Sequence, residues 1–88
     1  MWLYVRGVRW RVASDEGLPE DQLGLCDYAK KTIYVPIDGW LPHELDTVIH
    51  EALHACYPDM SEAAVEEGAG TLSALLIKLG WTKDELTE

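Results

Sequence analysis

The first half of the chain alternates in polarity. Trp2, Tyr4 and Arg6 interleave with Leu3 and Val5, and Val8, Trp10 and Val12 interleave with Arg9 and Arg11. A period of two sends successive side chains to opposite faces of a strand, so two strands are predicted, with Gly7 marking a turn or bulge between them. Ser14 to Gly24 is polar, contains Gly17, Pro19 and Gly24, and reads as a loop with one short helical turn at most. Leu25–Tyr28 and Thr32–Val35 are short β-rich runs, and Ala29-Lys30-Lys31 between them predicts a hairpin. Pro36, Gly39 and Pro42 close the strand region.

Beyond Pro42 the period becomes helical. Leu45, Val48, Ile49, Ala52, Leu53, Ala55 and Cys56 form one broad apolar stripe on a predicted helix from Pro42 to Cys56, ended by Pro58. A second helix is predicted from Asp59 or Ser61 to Leu79. Asp59 and Glu62 have the spacing of a capping box, and Gly80 is placed to stop the helix. Val65, Ala69, Leu72, Leu76 and Leu79 line one face of it. The predicted class is α+β: a small antiparallel sheet of three to four strands followed by two packed helices, in one domain spanning 1–88.

Composition sharpens this picture modestly. At 88 residues, 48% hydrophobic and 26% charged, the chain is of ordinary globular make-up and has one modest core. No apolar run approaches the roughly 18 residues of a membrane helix. Met1 to Arg6 lacks the basic start, apolar block and small-residue cleavage site of a signal peptide, so a cytoplasmic location is expected. Cys26 and Cys56 form no Cys-x-x-Cys pair and are expected as reduced thiols. Trp2, Trp10, Trp40 and Trp81 are expected as core or rim aromatics.

Charge is distributed unevenly. Residues 1–37 hold five basic and five acidic side chains; residues 38–88 hold two basic and eleven acidic ones and carry the whole net charge of −9. An acidic half of this kind repels nucleic acid and anionic lipid and suits a bound cation.

The strongest chemical signal is His50-Glu51-Ala52-Leu53-His54, inside the first predicted helix. Residues four apart stand one above the other on a helix, so both imidazoles point the same way and can reach one Zn²⁺ at ~2.0–2.1 Å. Both lie almost opposite the apolar stripe, so they are not core histidines. Glu51 is rotated ~100° from His50, where it flanks the metal and can take a proton from a zinc-bound water.

A catalytic zinc site needs a third protein ligand. His43 shares the face but lies ~10.5 Å up the helix axis, too far to share an ion. Cys56 points into the apolar stripe. On the second helix Glu67 projects to solvent, whereas Glu66 lies on the flank, ~100° from Val65, where a seam between packed helices would run. Glu66 is therefore the favoured third ligand, with Glu62 and Asp59 as alternatives.

A zinc motif followed by a helix bearing Glu resembles the glutamate-type zincin metallopeptidases, above all the minimal gluzincins and the compact ImmA/IrrE-like domains. Leu45 to Ala55, Pro58-Asp59 and Ser61 to Gly70 also resemble small metallopeptidases encoded by bacteriophages, which would place the protein in the host cytoplasm. The likeness covers about residues 25–81 and is specific only in the five-residue motif. It implies His50, His54 and Glu66 as Zn²⁺ ligands, Glu51 as general base, and an edge strand beside the site. Gly70 stands four residues after Glu66, where thermolysin-like enzymes carry an Asp that orients a ligand histidine; Asp46 is an alternative carboxylate for that task. Tyr57, His43, Tyr28 and Tyr34 are candidates for stabilising an oxyanion.

The expected activity is zinc-dependent hydrolysis of a peptide or protein substrate. The competing expectation is a non-catalytic protein-binding module with a structural zinc, in which Cys56 or Asp59 would complete four ligands.

Overall fold

The computed structural model describes residues 1–36 and 42–81, so Gly39 and Trp40 lie outside the described residues. The element order is β1 (Trp2–Val5), β2 (Val8–Ser14), β3 (Leu25–Asp27), β4 (Thr32–Val35), α1 (Pro42–Cys56) and α2 (Glu62–Lys78). This is the α+β arrangement that the change of period predicts.

β1 and β2 form a hairpin with Val5 opposite Val8. Its two connecting residues, Arg6 and Gly7, have φ of 51° and 86°. Two successive positive φ values match the twist of the flanking strands, and glycine reaches the second without a Cβ clash. β3 and β4 form the second antiparallel hairpin. The sheet order is β1-β2-β4-β3, and β2 pairs with β4 in parallel. The sheet is therefore mixed rather than wholly antiparallel. Alternation within each strand reports which side chains share a face but not which strands become neighbours. Here the 15–24 loop carries the chain past the central position to the far edge, and β4 returns into the gap.

β4 is the central strand facing the helices, and its β-branched run suits that place: Thr32, Ile33 and Val35 are all buried. Val5, Trp10, Ile33 and Ala55 make the core cluster, with Val12, Cys26 and Cys56 packed against it. Among the described residues Trp10 is thus the core tryptophan, while Trp2 and Trp81 are exposed.

α1 lies between the sheet and α2: it packs on β3 and β4 on one side and on α2 on the other. α2 buries a narrow ridge, Val65, Ala69 and Ser73, spaced four residues apart. The expected broader face is buried only in part: Val65 and Ala69 are buried and Leu76 half-buried, but Leu72 and Leu79 are exposed, as is Leu75. A helix with one principal packing neighbour needs only one ridge in one groove.

The start of α2 also differs from the expected Asp59–Glu62 box. Ser61 is the N-cap, in extended conformation, and its hydroxyl accepts the amide of Ala64 at 3.1 Å. Tyr57 to Ser61 make a tight connection, with the Met60 amide donating to Tyr57 O. That connection fixes which turn of α2 meets α1 at the site.

Candidate metal centre

His50 and His54 project from α1 one above the other, with ring centroids 4.8 Å apart and Nε2 atoms 3.2 Å apart. Both rings are about four-fifths buried, because the first turn of α2 covers them. The residue that meets them is Glu62: one carboxylate oxygen lies 3.2 Å from His50 Nε2 and the other 3.0 Å from His54 Nε2. Among the described residues these three are the one His/Cys/Asp/Glu group whose ligand atoms lie close together, all within 4.8 Å.

The arrangement fits a divalent ion better than a hydrogen-bonded cluster. Each Nε2 has one in-plane site, holding a proton or a lone pair, and an ionised carboxylate only accepts. Satisfying Glu62 at both contacts needs a proton on both rings, which sets two N–H groups against each other across the 3.2 Å gap between them. With Glu62 ionised, no assignment of protons meets all three contacts, whereas one cation meets three lone pairs at once. The spacings agree: donors ~2.0–2.1 Å from a tetrahedral ion sit about 3.3 Å from one another.

The carboxylate brought to the two rings is therefore that of Glu62, which the sequence left as an alternative, rather than that of the favoured Glu66. Both glutamates line the same cleft, together with Asp21, Asp46, His50 and Glu51. Glu62 is brought to the rings because α2 starts there, directly after the short connection, and only its first turn is level with His50 and His54. Glu66 sits one turn further along. Asp59 and Cys56 stand outside the group, with Cys56 packed against the core. Asp46 lines the cleft beside His50; among the described residues no hydrogen bond joins it to either ring.

Glu51 shares the cleft with His50 and Glu62 and is buried, at 8% exposure. Burial raises its carboxyl above the usual range; His50 and His54 pull it back, and Glu62 pushes it up again. It faces the loop before β3. A Cβ at Gly24 would stand 2.9 Å from Glu51 Cγ, 3.1 Å from Glu51 Oε2 and 3.0 Å from Thr47 Cγ2. Gly24 is thus the residue that lets the loop backbone close over the carboxylate. In the sequence it is legible only as punctuation ahead of a strand.

Tyr28, one of the oxyanion candidates, stands at the mouth of the site with Cys26, His50, Glu51 and His54. Its hydroxyl donates to the backbone oxygen of His54 at 2.8 Å. Partial desolvation raises the pKa of this hydroxyl, as does the adjoining Cys26 thiol. His43 and Tyr57 are exposed.

No helix among the described residues is long and apolar enough to cross a membrane. Comparison with the models of known protein families finds no match, and neither do comparisons with curated proteins and with solved structures.

Proposed function

We propose that this protein is a zinc-dependent metallopeptidase in which His50, His54 and Glu62 hold the metal and Glu51 is the general base. The observation that carries the reading is the triangle of Nε2, Nε2 and carboxylate, whose contacts of 3.0–3.2 Å no proton arrangement satisfies while Glu62 is ionised. Zn²⁺ bound there would polarise a carbonyl and acidify water, the chemistry that hydrolysis of an unactivated amide requires.

The chain's own residues supply the rest. Three protein donors leave one position of a tetrahedral site free, as catalytic sites do. A structural site would need a fourth donor, and neither Cys56 nor Asp59 belongs to the group. Glu51, next to His50 and made more basic by burial, accepts the proton of the attacking water and hands it to the leaving nitrogen. Among the described residues β3 is an edge strand of the sheet, where an extended peptide running past His50 and Glu51 would pair. The carboxylates of Asp21, Asp46 and Glu66 make the cleft attractive to cations and repellent to anionic ligands.

The test combines metal analysis of the purified protein with mass-spectrometric scoring of a peptide library. The wild type is expected to bind one zinc and cleave. Glu51→Gln is expected to bind zinc equally and to lose roughly 10²–10⁴-fold in cleavage, the usual contribution of a positioned base. Undiminished cleavage by that variant would remove Glu51 from the mechanism.

A further inference from the structure

In the α-helix the carbonyl of residue i accepts from the amide of residue i+4. For His54, within the last turn of α1, that partner is position 58, which is proline and has no N–H. The neighbouring Leu53 carbonyl is served normally, by the Tyr57 amide at 2.9 Å. His54 would therefore present a bare carbonyl at the point where a metal-binding side chain must be held still.

The Tyr28 hydroxyl fills this vacancy at 2.8 Å. Tyr28 comes from the turn between β3 and β4, and its ring is itself fixed edge-on against the buried Trp10, with centroids 6.1 Å apart. A phenol has one proton, and here it is engaged by His54 O. We infer that Tyr28 is a positioning residue for the metal centre: it replaces the amide that Pro58 lacks and locks the His54 turn of α1 to the sheet. The assignment rests on the zinc reading above and removes Tyr28 from the oxyanion candidates.

Groups that orient a metal ligand commonly contribute 10–100-fold to affinity. Tyr28 acts through the backbone, so Tyr28→Phe, which keeps the ring, is expected to weaken zinc binding about tenfold in a chelator competition. The visible spectrum of the Co²⁺-loaded variant should change with it. Pro58→Ala returns an amide to the position four residues after His54 and is expected to restore affinity in the double variant. A merely structural tyrosine would lower the melting temperature of Tyr28→Phe but leave zinc affinity and the cobalt spectrum as in the wild type, and that result overturns the assignment. So does a double variant that stays weak. His54→Ala runs in parallel: if it binds zinc like the wild type, the metal centre itself is wrong; if it alone loses zinc, only the role of Tyr28 falls.

Discussion

Glu62→Gln against Glu66→Gln decides which turn of α2 closes the metal site. Glu62 is an exposed first-turn residue, its side chain 62% accessible. Its amide variant should cost the metal-free fold only the helix-terminus interaction, roughly 0.3–1 kcal/mol. The metal-linked effect is much larger. With free zinc at 100 times the dissociation constant, the wild type gains about 2.7 kcal/mol. Loss of one of three donors should weaken binding at least ~100-fold, the upper end of what removing a ligand's supporting partner does. The same zinc concentration then stabilises Glu62→Gln by only about 0.4 kcal/mol. For a domain of this size about 4–8 °C of melting temperature corresponds to each kcal/mol, so the zinc-induced shift should shrink by roughly 9–18 °C. Glu66→Gln, exposed and one turn away, should keep the full shift. Differential scanning calorimetry with and without zinc reads both variants. A normal shift in Glu62→Gln with a lost shift in Glu66→Gln would refute the geometry of the α1–α2 seam.

Gly24→Ala would drive a methyl group to 2.9 Å from Glu51 Cγ; the carboxylate must move, and kcat should fall about 10²-fold with zinc affinity intact, since a displacement near 1 Å can have that effect. Unchanged turnover would show that Glu51 is not held by this loop. Burial, opposed by the Tyr28 hydroxyl, raises the Cys26 thiol to about 11. Its alkylation in the native protein should therefore climb only towards that pH, whereas the unfolded chain reacts near its ordinary value of 9.0. The unfolded thiol gives up its proton first, so this group's contribution to stability falls as pH rises between those two values. Native labelling already complete near pH 9 would contradict the burial. Val65 has no exposed surface. Val65→Ala should cost about 2 kcal/mol, roughly 0.8 for each of two carbon groups plus the cavity, and lower the melting temperature by about 8–16 °C; a change within 2 °C, roughly the effect of a neutral surface substitution, would mean that the α1–α2 ridge is not packed.

Local signals in the sequence determined a great deal. Period two marked the first two strands, β-rich composition the next two, period 3.6 the two helices, and Pro42, Pro58 and Gly80 the helix limits, because each of these is set by neighbours a few residues apart. His50, Glu51 and His54 are legible for the same reason: their relation is the pitch of one helix. Tertiary structure alone decided the rest. The parallel β2–β4 pairing depends on where a loop delivers the chain. That the carboxylate of Glu62 rather than Glu66 meets the two rings depends on which turn of α2 is level with α1, a consequence of the Ser61 cap and the five-residue connection. The contacts of Gly24 with Glu51 and of Tyr28 with His54 are likewise tertiary, and no periodicity within either segment encodes a meeting across that distance.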